Sequence, residues 1–163
     1  MERDRLIYTI SRFDHYFDSV NNKTAVYIAL NTFIMGGIIA GYVNVDKYIT
    51  KYVFFFNITL CLILATGLVT LIILVYASIP FFSKKTNSLF YFGSIGNLPK
   101  EHFIKRSKEC SNKKELKDLR NQVYELSKGL NKKFTRLQLS GHLIVLQFIG
   151  LIPLMVIFLI NKF

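Results

Sequence analysis

Three long windows of this chain contain no Asp, Glu, Lys or Arg, and they limit what it can fold into more than any other feature. Thr24 to Val43 runs 20 residues without charge, Tyr52 to Ser83 runs 32, and Leu137 to Asn161 runs 25. A helix needs about 20 mostly apolar residues to cross a hydrocarbon core of about 30 Å. Each window meets that length, and none shows the period-2 alternation of a barrel strand. The fold class expected is therefore an all-α membrane protein: three transmembrane helices with cytoplasmic helical extensions, assembled into an oligomeric bundle. The first window lies behind a charged segment and is long for a signal core, so it is expected to be a span that stays in the protein. The second exceeds one crossing, and Pro80 is expected to mark its end.

These windows divide the chain. Residues 1–23 form an amphipathic helix, 24–43 the first span, 44–51 a short external loop, and 52–83 the second span. Residues 84–136 form a basic helical segment and 137–161 the third span. The chain is 52% hydrophobic with a net charge of +11, and the charge is unevenly placed. Segment 84–136 holds fourteen Lys and Arg against five acids, whereas loop 44–51 holds two basic residues. The positive-inside bias puts the N-terminal segment and 84–136 in the cytoplasm, and the C-terminal end outside an inner (plasma) membrane.

Two cysteines give no disulfide framework. There is no CxxC, HExxH, Walker loop, GxGxxG or nucleophile–base pattern, so neither an enzyme nor a metal or cofactor site is expected. Leu6, Ile10, Phe13, Phe17 and Val20 step by four and three. So do Leu116, Leu119, Val123, Leu126, Leu130, Phe134 and Leu137. That spacing makes narrow helix–helix seams, and both helices are expected to run into their spans. Asn112, with Glu115 three residues on, reads as a helix cap. The uncharged stretch NSLFYFGSIGNL (87–98) is expected to pack between the cytoplasmic helices, with Gly93 allowing close approach.

Polar residues inside spans are costly and often functional. Asn31, Asn57, His142 and Gln147 are the candidates for a water path, weighed against plain interhelical hydrogen bonding. Gly37 and Gly41 form a small-xxx-small pair suited to helix association. Pro153 is a candidate kink site.

Three segments in this order, FDHYFDSVNNKTAVYIALNT, YFGSI and LRNQVYELSKGLNKKFTRLQLS, carry a family likeness. The chain resembles the Pycsar-type transmembrane effector domain of bacterial anti-phage defence, including the related membrane effector of the Hailong system. The resemblance covers nearly the whole chain. It implies an oligomeric channel or pore whose opening is controlled by a nucleotide, a cyclic nucleotide or a DNA oligomer. The nucleotide is made by a partner nucleotidyltransferase or cyclase in the same operon. Opening depolarises the membrane and arrests growth. A homo-oligomer is expected, a tetramer being favoured, together with contact to membrane lipid.

A separate cyclic-nucleotide domain is not expected, and a ligand site is expected to be built from the cytoplasmic segments. Phosphates need cations and donors, and bases need stacking faces. Arg12, His15, Lys23, Phe92, Arg120, Gln122, Lys132 and Arg136 are the candidates for that site. For Lys84, Lys85, Lys132, Lys133 and Arg136, attraction to anionic lipid is an equal reading. A membrane disruptor without a defined pore and a membrane anchor or scaffold remain as other functions.

Overall fold

The computed structural model describes residues 1–80 and 88–162, and every described regular element is helical. Helix α1 spans Glu2–Val45 and is followed by a 3-10 turn at Asp46–Tyr48. Helix α2 is Val53–Ser78, α3 the short Phe92–Ile95, α4 Lys100–Lys108 and α5 Asn112–Lys162. Three of them, α1, α2 and α5, are long and apolar enough to cross a membrane. As expected, α1 and α5 each join a charged amphipathic stretch to a span without a break, and α5 continues through Pro153.

The chain forms two compact units. One comprises Met1–Ser19 and Pro80–Lys133, and the other Val20–Ile79 and Phe134–Phe163.

The second unit has the polarity of a membrane protein. Large apolar side chains such as Phe33, Val43, Phe54, Phe55 and Leu62 face outward, while Thr24, Asn31, Thr70, Ser140 and Gln147 are buried. In hydrocarbon an exposed apolar side chain is at no disadvantage, and small or hydrogen-bonding residues do the packing between helices. The buried positions of α2 are Phe56, Ile63, Gly67, Thr70, Leu74 and Ala77, a seven-residue repeat after Ile63. On α5, Leu137, Ser140, Ile144, Gln147 and Leu154 continue the same spacing. This is the geometry of left-handed bundles. At one end of the unit, Ile49, Phe56, Ile63 and Leu154 form an apolar cluster, with the Tyr42 ring stacked 6.4 Å from Phe56.

The hairpin between α1 and α2 is held by one side chain that the sequence did not single out. Asn161 Oδ1 accepts from Thr50 N at 2.9 Å and Lys51 N at 2.6 Å, and its Nδ2 donates to Lys51 O at 3.1 Å. The next residue, Tyr52, is forced into the left-handed region at φ 60°, ψ 26°. At the far end α2 stops at Ser78. Ile79 turns extended before Pro80, as the residue preceding a proline tends to. The carbonyl of Tyr76, in the last turn of α2, accepts from Arg136 Nη1 at 2.8 Å, so a cation serves the negative end of the helix. The remainder of the expected second span, with Lys84, Lys85 and Asn87, lies outside the described residues.

In the first unit, Leu6 from α1 and Leu119 and Leu130 from α5 are buried. The α5 seam differs from the expected stripe at one place. Phe134 is 37% exposed, whereas Lys133 is 5% exposed and takes the inward position. Residue 133 lies fourteen residues after Leu119 and completes the three-and-four stepping between Leu130 and Leu137, so helical phase overrides the apolar preference. The expected Asn112 cap also shifts by one residue. The amide of Glu115 bonds to Ser111 O at 3.0 Å, and the Glu115 carboxylate accepts from Arg3 instead of closing a capping box.

Candidate functional site

The second unit contains a layer of hydrogen-bonded polar side chains inside the helix trio. Asn31 Nδ2 donates to the carbonyl of Gly67 at 3.0 Å. That contact fixes the Asn31 amide, leaving Oδ1 to accept from Gln147 Nε2 at 2.9 Å. The same Gln147 nitrogen lies 3.4 Å from Thr70 Oγ1, whose own proton goes to Thr66 O at 2.7 Å. The direction of this chain leaves Gln147 Oε1 buried without a hydrogen-bond donor among the described residues. A Cβ on Gly67 would lie 3.5 Å from that oxygen and 2.7 Å from Met35 Cγ, so the absent side chain makes room for the layer.

Of the four expected pore residues, the structure brings Asn31 and Gln147 together in the protomer interior. It leaves the other two apart. His142 is exposed on α5, one turn after the exposed Gln138. Asn57, half-buried on α2, lines a shallow outward depression with Phe54, Ile58, Cys61 and Leu62. A Cβ added at Gly37 or Gly41 would meet nothing within 4 Å. These two glycines form part of the wall of an apolar groove of about 400 Å³, with Phe33, Phe148 and Met155 among its other walls.

The first unit carries most of the residues expected to bind a ligand. Arg120 grips Glu2 through two parallel bonds, Nε to Oε1 at 2.9 Å and Nη2 to Oε2 at 2.8 Å. Arg3 Nε donates to Glu115 Oε1 at 2.9 Å. These two pairs tie the first turn of α1 to α5. The Arg120 hydrogen bond holds the Glu2 carboxyl below the usual carboxylate range, and Glu2 in turn raises Arg120. Arg12 donates to the hydroxyl of Tyr16 and lies 5.6 Å from the centre of that ring. The Tyr16 hydroxyl and the nearby Tyr8 raise Arg12 further. His15 and Lys132 are exposed, Gln122 is 8% exposed, and Phe92 is 67% exposed. Lys23 and Arg136 belong to the second unit.

A polar cavity of about 190 Å³ in the first unit was not anticipated. It is lined by Leu89, Arg106, Glu109, Cys110, Lys114 and Asp118. The i, i+4 pair Lys114–Asp118 was its only visible sign in the sequence, and Asp118 is committed to the amide of Leu89 at 2.7 Å. Among the described residues no group of three His, Cys, Asp or Glu side chains is placed to hold a metal ion.

Three apolar helices with a hydrogen-bonded interior and a basic helical unit define a small multi-span membrane protein. The chain matches the Pycsar effector protein domain, PycTM, over residues 5–161, and it belongs to that family. It is accordingly a membrane effector of anti-phage defence. No curated protein and no solved structure matches the chain.

Proposed function

We propose that several copies of this protein assemble in the inner membrane into an ion channel, lined by the outward polar face of α5 and opened or closed by a nucleotide signal. The observation that carries this reading is the exposure of His142 one turn after Gln138 on a span without charged residues. Polar side chains facing lipid are costly, and they are found facing a bundle interior or water. Copies arranged about an axis would turn this face toward a shared aqueous path. Asn57 is the counterpart on α2. Asn31 and Gln147, bonded to each other, would set the register of the three helices and reach the path only if their pair separates. The Gly37–Gly41 face, open in the protomer, offers a close-packing surface between copies, and a tetramer is the favoured assembly.

The signal would act on the basic unit, which the positive-inside bias places in the cytoplasm. A cyclic nucleotide or DNA oligomer, supplied by a partner cyclase or nucleotidyltransferase, brings phosphate to Arg12, His15, Arg120 and Lys132 of this unit. Phe92 offers a ring for the base. Gln122 is 8% exposed and would reach the base only after local opening. Arg120 has its fork filled by the Glu2 carboxylate. A phosphate matches that same fork, so it competes with Glu2 and frees the first turn of α1. A ligand moves a closed–open equilibrium only through different affinity for the two states. The Glu2–Arg120 contact supplies one such difference.

The direct test of the path is potassium flux from liposomes carrying His142→Leu, with Val145→Leu as the control on the same helix. The channel reading expects His142→Leu to change conductance at least tenfold and Val145→Leu to leave it intact. Equal behaviour removes α5 from the path. Leakage without size selection would instead indicate membrane disruption without a defined pore.

A further inference from the structure

The loop before α4 is built inside out. In residues 88–94 the serines are buried and both phenylalanines exposed: Ser88 and Ser94 are inside, Tyr91 is half-buried, and Phe90 is 44% and Phe92 67% exposed. The sequence predicts the reverse. The reason is local hydrogen bonding. Ser88 Oγ accepts from Phe90 N at 3.0 Å, Asp118 takes the amide of Leu89, and Asn97 Nδ2 donates to Gly93 O at 2.7 Å. A Cβ on Gly93 would stand 2.6 Å from the Tyr91 ring, so glycine lets that ring fold back over α3. The polar groups are thus spent on the loop's own backbone. The loop is held in a defined shape that presents Phe90 and Phe92.

We infer that this loop and α4 form an interfacial anchor that docks on an anionic lipid surface, with Phe90 and Phe92 entering the headgroup region. Two further observations point to lipid. First, α4 carries Lys100, Lys105, Arg106 and Lys108 against Glu101 alone. Its residues Lys100, Ile104 and Lys108, spaced by four, share one exposed helical face on which an apolar side chain sits between two cations. Apolar anchors flanked by Lys and Arg are the pattern of segments that lie in a bilayer interface and are drawn to anionic headgroups. Second, the same chain carries three helices long and apolar enough to cross a membrane, so a bilayer is always at hand. A second copy of the same surface is a poor occupant, because it would set the four α4 cations against four more of the same sign.

The chain has no tryptophan, so Phe90→Trp introduces a single reporter. The full-length variant is reconstituted in vesicles of phosphatidylglycerol with phosphatidylcholine, with and without brominated acyl chains. The expected result is short-wavelength emission, quenched at least twofold by the brominated lipid. Quenching should fall in pure phosphatidylcholine and with Lys100→Glu/Lys108→Glu. Ile39→Trp, on the exposed face of α1, gives the signal of a fully inserted residue. Phe92→Trp must report the same behaviour as Phe90→Trp. Water-like emission that ignores the brominated lipid would overturn the anchor. So would short-wavelength emission without quenching, which would mean that protein covers the loop. Equal quenching in pure phosphatidylcholine would overturn the anionic preference.

Discussion

The side-chain amide of Gln147 donates to Oδ1 of Asn31 at 2.9 Å, and both residues are shut away from solvent. The pair is asymmetric. Asn31 has its donor and acceptor both engaged, whereas Gln147 keeps one orphan oxygen among the described residues. Asn31→Leu should therefore cost more than Gln147→Leu. Removing Asn31 strands the Gln147 amide in an apolar interior, at about 1–3 kcal/mol. Removing Gln147 also removes its orphan. The double variant Asn31→Leu/Gln147→Leu should recover most of the loss. Unfolding in bicelles checks the order, and equal single-variant costs would contradict it.

The hairpin offers a second contrast. Asn161 bonds to both Thr50 and Lys51, and Tyr52 sits at positive φ. Asn161→Ala should destabilise by about 0.5–1.5 kcal/mol, because the turn's exposed backbone groups exchange their partner for water. Tyr52→Asn should stabilise by about 1 kcal/mol, since Asn tolerates the left-handed region better than a bulky side chain. Thermal unfolding in detergent reads both, and a loss in Tyr52→Asn would show that its ring does more than the backbone requires.

The glycines separate contacts within a protomer from those between copies. A Cβ on Gly150 would lie 2.8 Å from Ile63 Cγ1, and one on Gly67 2.7 Å from Met35 Cγ. Isoleucine is stiff at χ1, whereas methionine adapts. Gly150→Ala should thus cost about 1–3 kcal/mol and Gly67→Ala less. Gly37→Ala and Gly41→Ala meet open space and should leave the protomer's stability unchanged or slightly raised. If copies pack on that face, these two variants will lose the oligomer, as read by native mass spectrometry. An intact oligomer would move the contact elsewhere.

Acid should loosen the start of α1. The folded pKa of Glu2 is lowered by its hydrogen bond to Arg120. Its contribution is therefore present above the unfolded carboxyl pKa of about 4.3, and is lost as pH falls through the lower folded value. Hydrogen-exchange protection in the first turns of α1, relative to intrinsic rates, should be flat across neutral pH and fall only on acidification below about pH 4. Glu2→Gln should show the reduced protection at every pH. A neutral-pH transition would point to a different group.

Much of this was legible in the sequence, because the strongest signals were long. The three charge-free windows fall in the long helices α1, α2 and α5, and the steps from Leu6 and from Leu116 follow their buried and half-buried positions except at Phe134. Short-range features were hidden where one side chain serves a distant backbone. Nothing near Thr50 announces Asn161, and nothing near Leu89 announces Asp118. Lys133 takes a seam position ahead of Phe134 because helical phase outweighs the polarity of one residue. The serine–aromatic inversion at 88–94 escapes a hydropathy reading, since it depends on which groups the loop needs for its own hydrogen bonds. The Asn31–Gln147 contact was visible only as two polar residues in spans, with no sign that they meet.

The most direct measurement is ion flux from liposomes holding the purified full-length protein, with and without cyclic pyrimidine mononucleotides and short DNA oligomers. The expected result is size-selective flux that one of these nucleotides switches on or off, with Arg120→Ala abolishing the response. Flux that no nucleotide alters would contradict nucleotide control. No flux from correctly inserted protein under any condition would contradict the channel itself and leave a membrane anchor or scaffold.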